Sequence, residues 1–416
     1  MLLYWVWLTA DKHLSAQAKS ALLEQFGDAR AIYLADETAL RMTPNLKNKE
    51  ITALLDKSLD RARAILEVCD NKRISILTWQ DAAYPERLRN IFDPPLVLYY
   101  EGLLPAFDRE AAITIVGTRK ASAYGLSAAK RLGYQLGRAG ALVISGAAKG
   151  IDRLALEGAL TAGRPVVAVL GNGTDIAYPP ENKKLINDIR YYGCLISEYP
   201  PSTPPKQEYF PKRNRIMSGL SLGVVVVESP KRSGALITAR CALEQGRDVF
   251  TIPGNLGVDT LEGNLLLIKD GATVIENGND VIASYLYRFP DLNGDLIPPV
   301  YEEALKNLPK SELPMHYKST PSDEREARRK LEEARVAPSQ KIDIKSLVGT
   351  LSETENQIVM ALRSGPLTFD QVSYATGLEM PDILASLVNL ESKRYVTRDG
   401  GQRLRLGERV VVEELK

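Results

Sequence analysis

From Ala111 onward, short apolar runs alternate with longer amphipathic stretches, and no other feature restricts the fold of this chain as tightly. The runs are Ile113–Val116, Leu142–Ile144, Val166–Leu170, Leu195–Ile196, Leu222–Val227 and Asp248–Ile252; helical patterns fall between them near residues 125–138, 152–162, 181–192, 213–219 and 235–245. A strand that is apolar at every position is buried on both faces, the condition of a parallel sheet covered by crossover helices. The pattern therefore predicts an α/β fold with a central Rossmann-like doubly wound parallel sheet. Ligands of such sheets gather beyond the carboxyl ends of the strands.

A chain of 416 residues exceeds one ordinary core, while 44% hydrophobic and 25% charged residues are globular values. Residues 1–75 read as an N-terminal helical (SAM-like) domain. Ala18, Leu22, Leu23 and Phe26 share a helix face, Ser15 can cap its start and Gly27 can close its end, and Ile51, Leu54, Leu55, Leu59 and Ala62 continue the spacing. Thr43-Pro44-Asn45-Leu46 lacks the glycine-rich hairpin that would turn amides toward phosphate, so packing or partner binding is expected of this domain. The sheet domain should occupy 76–287. Residues 288–350 read as a flexible linker, with Pro298-Pro299, Pro309, Pro314 and Pro321 followed by the mixed-charge run 323–335. Residues 351–416 read as a C-terminal winged helix: Ser352 and Glu355 have capping-box spacing, a second helix ends at Gly377, a third opens with Pro381, and Asp399-Gly400-Gly401 turns a hairpin.

Several function classes are disfavoured. The apolar opening Met1–Leu8 is short, lacks a basic flank and runs into Asp11 and Lys12, which fits neither a signal peptide nor a membrane span; a cytoplasmic protein without membrane contact is expected. Cys69, Cys194 and Cys241 are too scattered for a disulfide framework or a zinc pair. With only His13 and His316, few routes to a catalytic triad or a histidine-built metal site remain, so no metal, no cofactor and no enzyme activity are expected. The dinucleotide fingerprint and the P-loop pattern are both missing.

Charge points elsewhere. The whole chain holds 53 Lys+Arg against 52 Asp+Glu, yet Lys206-Gln-Glu-Tyr-Phe-Pro-Lys-Arg-Asn-Arg215 sets four bases against one acid around Tyr209 and Phe210. Cations that hold phosphates beside rings that stack on unpaired bases are the means of gripping single-stranded nucleic acid without reading its sequence. The loops after the strands suit the same ligand. Gly117-Thr118-Arg119 pairs a close-approach glycine with a guanidinium; Ser145 to Asp152 adds Gly146, Lys149, Gly150 and Asp152 as a helix cap; Gly171 to Asp175 leads to Tyr178-Pro179; Ser233-Gly234 opens a further helix.

Together these residues resemble the DNA-processing protein A (DprA, or Smf) family. The likeness runs over roughly residues 80–285, from Tyr84-Pro85 through Ile115-Val116-Gly117-Thr118-Arg119, Val143-Ile144-Ser145-Gly146, Gly150-Ile151-Asp152, Phe210-Pro211-Lys212-Arg213-Asn214-Arg215 and Ser233-Gly234-Ala235-Leu236-Ile237-Thr238 to Pro253-Gly254-Asn255. The resemblance implies a protein that binds single-stranded DNA, protects it, forms a homodimer and loads the RecA recombinase onto incoming DNA in natural transformation, with single-strand-binding protein as a further partner. Two positions depart from the family pattern: Ala147 stands in place of a leucine, and Leu156 in place of a histidine.

The expected DNA-binding set is Gly117, Thr118, Arg119, Gly146, Lys149, Gly150, Lys206, Phe210, Lys212, Arg213, Asn214, Arg215, Ser233 and Gly234. Within it Arg119, Lys149, Lys212, Arg213 and Arg215 would contact phosphates, Gly146, Gly150 and Gly234 would admit backbone approach, and Phe210 would stack on a base; Asn214 and Arg215 could instead tie the loops together. Five neutralised phosphates imply a log–log salt slope of about −3.5 on single strands. The rival reading is a nucleotide-processing enzyme of lysine-decarboxylase-like Rossmann type, using Glu198, Glu228 or Asp175 as acid or base, although its Pro-Gly-Gly-x-Gly-Thr signature is missing. A transcriptional regulator would turn Asn389, Lys393 and Arg394 of the winged helix to DNA.

Overall fold

The apolar runs become strands packed edge to edge. The computed structural model describes residues 1–10, 12–292, 342–344 and 351–411, the last excepting 379–381, 384–385, 388, 391–394, 400–402 and 408–409. It divides into two units, Met1–Lys310 and Ser311–Lys416.

In the first unit the chain begins with six helices: α1 Leu2–Ala10, α2 Ala16–Phe26, α3 Ala29–Leu34, α4 Glu37–Arg41, α5 Asn48–Leu55 and α6 Asp60–Lys72. The apolar opening is the first of these, and Trp5, Val6, Trp7 and Leu8 are buried with Leu22, Ile32, Leu40 and Leu54. Ser15 caps α2 by accepting from the Ala18 amide, and Gly27 closes it at φ 79°.

A nine-stranded sheet follows: β1 Ser75–Thr78, β2 Val97–Gly102, β3 Ala112–Val116, β4 Leu142–Ser145, β5 Val166–Leu170, β6 Cys194–Ser197, β7 Gly223–Val226, β8 Asp248–Thr251 and β9 Thr273–Val274, in the order β1-β2-β6-β5-β4-β3-β7-β8-β9. From β6 to β9 all neighbours are parallel, whereas β1 and β2 are antiparallel additions at one edge. The chain winds outward from β3 to β6 and then returns to β7 beside β3, which places the switch of direction between β3 and β7. The sequence pattern found β3 to β8 and missed β1, β2 and β9. β1 and β9 are the edge strands and β9 is exposed along its length, while β2, between β1 and β6, is buried only in its first half, so none carries a continuous apolar signal.

The crossover helices are α8 Ala123–Arg138, α9 Ile151–Thr161, α10 Lys183–Tyr192, α11 Tyr209–Leu220 and α12 Gly234–Glu244, with α7 Glu86–Arg89, α13 Glu262–Lys269 and α14 Gly278–Ile282 as short additions. Leu132, Leu136, Ala155 and Ile186 pack on one face of the sheet, and Ile216, Met217, Leu220 and Ala239 on the other. Each fully buried Val, Leu or Ile contributes about 1.5–3 kcal/mol, so the two apolar layers, not the loops, hold the sheet. Phe289 and Leu292 join the first layer, so packing continues past Tyr287.

The second unit contains β10 Ile342–Asp343, α15 Glu353–Ala361, β11 Leu367–Thr368, α16 Phe369–Thr376, β12 Val396–Asp399, β13 Arg403–Leu406 and β14 Val410–Val411. Ser352 and Glu355 form the expected capping box, and Gly377 ends α16 in the left-handed region. Strands β12 and β13 pair antiparallel as the wing, and Ile383, Leu387 and Leu390 are buried at helical spacing. Pro381, the hairpin turn at 400–402, and most of the expected linker, including 323–335, lie outside the described residues.

Helices α8 and α9 cross at glycine. A Cβ on Gly158 would lie 2.2 Å from the Lys130 carbonyl oxygen, and one on Gly133 would lie 2.1 Å from that of Ala155. Gly158→Ala should therefore lower the unfolding free energy of this unit by about 1–3 kcal/mol in urea melts, despite the better helix propensity of alanine. An unchanged midpoint would show that the helices can move apart freely.

Candidate nucleic-acid interface

The expected set is divided between the loops that leave the carboxyl ends of the parallel strands and the first turns of the helices that follow, with Phe210, Lys212, Arg213, Asn214 and Arg215 in α11 and Gly234 at the start of α12. The amino ends of α8, α9, α10, α11 and α12 lie on that same edge, because each helix there follows a strand that runs toward it. Free amides at helix starts carry partial positive charge, so this edge favours an anion before any side chain is counted.

Two buried groups hold the loops in place. Asp152, expected to cap α9, sits inside its first turn instead, and Gly150 at φ 80° precedes the helix. Its carboxylate accepts from the backbone amides of Gly117, Gly146 and Ala148, binding the loop after β3 to the loop after β4. Arg213 lies beside it, 4% exposed, and its guanidinium donates to the carbonyl oxygens of Gly146, at 3.0 Å, and Val169. Burial raises the Asp152 carboxyl, opposed by Arg213 and the three amides; burial likewise draws Arg213 down to about 10, against the attraction of Asp152, which leaves it charged at neutral pH. Gly146 makes room for this guanidinium, since a Cβ there would lie 2.4 Å from Nη2.

Arg213 was expected at a phosphate, and the structure gives it an internal task. It shares a face of α11 with Ile216, Met217 and Leu220, positions that all turn inward. Arg215 is also committed: Glu198 accepts from its Nη2 at 2.7 Å and Asp93 from its Nε at 3.1 Å. Those carboxylates outweigh burial and raise the Arg215 pKa further. Asn214 donates to the Gly234 carbonyl, tying α11 to the start of α12. The alternative raised for Asn214 and Arg215, that they join loops, describes their hydrogen bonds.

The cations Arg119, Lys149, Lys206 and Lys212 face outward. Arg119 is exposed, and its guanidinium lies 5.3 Å from the centre of the Phe210 ring. Phe210 packs over Gly171, where a Cβ would lie 3.0 Å from the ring, and tilts against Tyr178 at 5.6 Å. Arg119, Gly146, Ala148, Lys149, Tyr178, Pro179 and Phe210 line one pocket. Lys149 reaches Glu181 at 2.5 Å, an exposed pair that a phosphate can replace at little cost. Lys206 lies over the Tyr209 ring, and Lys212 is exposed on the first turn of α11. Gly117 meets Ile151 closely and Gly150 meets the Thr118 carbonyl, so both serve packing, whereas Gly234 has open space around it. Thr118 donates its amide to Glu228, and Ser233 caps α12.

Sequence reasoning left Tyr178 out of the binding set, although an aromatic in a strand-end loop was a usable signal. It also passed over Lys120, Lys231 and Arg232, exposed cations in the loops after β3 and β7. Asn182 was assigned no role here; it donates to the carbonyls of Ala147 and Ala148 at 2.9 and 3.1 Å and so braces the loop that carries Lys149.

The carboxylates offered for an enzyme are all engaged. Glu228 is buried and accepts from the Ser122 amide and hydroxyl, Glu198 holds Arg215, and Asp175 holds Lys72 and the Ser202 amide. Burial raises Asp175, but Lys72 and Ser202 outweigh it and hold its carboxyl below the ordinary range. In the second unit Asn389 donates to Glu355, while Lys393 and Arg394 lie outside the described residues.

Residues 75–286 match the model of the family described as DNA recombination-mediator protein A, and residues 347–402 match a DprA winged helix domain. The chain is 34% identical over 346 residues to Protein Smf of Synechocystis sp., covering 81% of each. It is 38% identical over 217 residues to the DNA processing protein DprA of Bacillus subtilis, covering 52% of this chain and 73% of that one. Among solved structures, DNA processing protein A of Streptococcus pneumoniae matches with a TM-score of 0.59 at 31% identity, covering 68% of this chain and 98% of that one.

Arg213→Ala should lower the unfolding free energy by about 3–5 kcal/mol, because it removes the cation that offsets burial of the Asp152 carboxyl and the donor to two interior carbonyls. Lys212→Ala, one residue away but exposed, should stay within about 0.5 kcal/mol of the parent. Equal effects in thermal or urea melts would remove the distinction between the inward and outward cations.

Proposed function

This chain belongs to the DNA-processing protein A family, and from that membership we propose that it binds single-stranded DNA without sequence preference, protects incoming strands and loads RecA onto them in natural transformation. The observation that carries the reading is the exposed Arg119 guanidinium over the Phe210 ring, with Tyr178 against the same ring, on a sheet edge where helix amino ends converge. Phosphates would lie against Arg119, Lys149, Lys206 and Lys212, and a base would stack on Phe210. Stacking requires an unpaired base, so duplex DNA should compete poorly.

In this reading Arg213, Asn214 and Arg215 shape the groove and do not touch DNA. Four neutralised phosphates replace the five expected from sequence, which lowers the anticipated salt slope to about −2.8. The engagement of Glu198, Glu228 and Asp175 in fixed internal contacts favours a binding protein over a nucleotide-processing enzyme. A homodimer, a contact with RecA and a contact with single-strand-binding protein belong to the same proposal. They rest on the family resemblance, as does a cytoplasmic setting; among the described residues no helix is long and apolar enough to cross a membrane.

Fluorescence anisotropy with labelled oligo(dT) over a salt series tests the site. Arg119→Ala should reduce the slope by about 0.7, the share of one phosphate. Phe210→Ala should weaken binding by about 1–3 kcal/mol with the slope intact. If both variants bind as tightly as the parent, or if duplex competes equally, the proposed function fails. Strand-exchange assays with RecA and single-strand-binding protein test the loading step; no acceleration by the parent protein would remove that part.

A further inference from the structure

The helical region 1–75 reaches the DNA-gripping segment through two ion networks that no role has yet absorbed. At the end of α6, Lys72 donates to Asp175 at 2.5 Å and to the Ser202 hydroxyl at 3.3 Å. Asp175 in turn accepts from the Ser202 amide at 2.8 Å, holding that residue at φ 64° in the left-handed region, where a non-glycine residue needs support. The same fold-over is fixed by the Gly173 amide donating to the Thr203 carbonyl. Segment 198–208 is thus clamped onto the loop after β5, and it runs straight into α11, whose first turn carries Phe210 and Lys212.

The second network meets the segment from its other side. Lys19 of α2 pairs with Asp93 at 2.9 Å, Asp93 with Arg215 at 3.1 Å, and Arg215 with Glu198 at 2.7 Å. Lys19, Asp93, Arg215 and Glu198 are each less than one-third exposed, so solvent screens this chain of charges only in part. Glu198 opens the segment and Arg215 lies in the helix that ends it. Segment 198–215 is therefore anchored to the amino-terminal helices at Ser202 through Asp175, and at Arg215 with Glu198 through Asp93.

We propose that Lys72 and Lys19 are positioning residues, through which the amino-terminal helices hold Phe210 and Lys212 in the geometry that grips DNA. The proposal rests on the reading of this site as a single-stranded DNA groove. Neither lysine need touch DNA, since Lys72 is spent on Asp175 and Ser202 and Lys19 on Asp93. Removing one tether should loosen segment 198–212 while the fold persists, because the helices also bury their own apolar core against Val97 and Tyr99 of β2.

The test uses the full chain and the variants Lys72→Met, Lys19→Met, Asp175→Asn and Lys72→Arg. Hydrogen exchange on the DNA-free protein should show faster exchange of amides 198–212 in Lys72→Met and Lys19→Met, with the centre of the sheet unchanged. Oligo(dT) binding should weaken about two- to fivefold in each, the range of a single partly exposed ion pair, with the salt slope of the parent retained. Lys72→Arg should restore both readouts. The double variant Lys72→Met with Asp175→Asn should bind no worse than Asp175→Asn alone, as expected of one shared interaction. Parent-like exchange and binding in both lysine variants would overturn the proposal, and so would a reduced salt slope, which would place the lysines on phosphate themselves. Because the exchange readout needs no DNA, loss of the positioning idea can be told apart from failure of the proposed function.

Discussion

A carboxylate and a guanidinium buried together at the carboxyl edge of the sheet govern the arrangement of this site. Asp152 collects the amides of two strand-end loops, and Arg213 collects carbonyls from a loop and from the neighbouring strand β5. Left alone, either charge would be costly in an apolar interior; Arg213 Nη1 is held by two backbone carbonyls while its Nε stays without a partner, and the bonds that are made fix the relative height of the loops. Backbone partners matter because they do not move. The loop after β3, which carries Arg119, and the loop after β4, which carries Lys149, inherit their positions from this cluster.

That internal use of charge explains why a nearly neutral chain can present a cationic groove. Of the bases between Lys206 and Arg215, the two arginines are drawn inward to satisfy carbonyls and carboxylates, and the lysines remain outside. The division follows chemistry. A planar guanidinium can satisfy several fixed acceptors at once, whereas an ammonium is more strongly hydrated and loses more when buried. Arg119 stays exposed, and there the Phe210 ring supplies a cation–π partner for its guanidinium.

The fold was legible to the extent that burial was two-sided. β3, β4, β5 and β7 are buried at every residue and appear in the sequence as mostly apolar runs, broken only by Thr114 in β3, Ser145 at the end of β4 and Gly223 at the start of β7. β2 is buried only in its first half and was passed over, although it forms the platform on which the amino-terminal helices pack. Within the site, the glycines and cations were visible as residue types, but their directions were not. Placing the start of α11 near 213, four residues after its true start at Tyr209, left Phe210 and Lys212 outside the helix that carries them. The tethers from Lys72 and Lys19 join residues 103 and 74 positions apart and leave no local pattern at all.

Sequence alone determined the doubly wound sheet, the helical and winged-helix flanks, and the gathering of glycines, cations and rings into strand-end loops, because these follow from periodicities of two and 3.6 residues and from chain connectivity. Tertiary structure alone decided which cations face solvent, which glycines make room for a neighbour, and which distant lysines brace the segment that carries Phe210. Those outcomes depend on where separate elements meet, and the balance between burial and pairing for each charge is set only when its partners arrive from other parts of the chain.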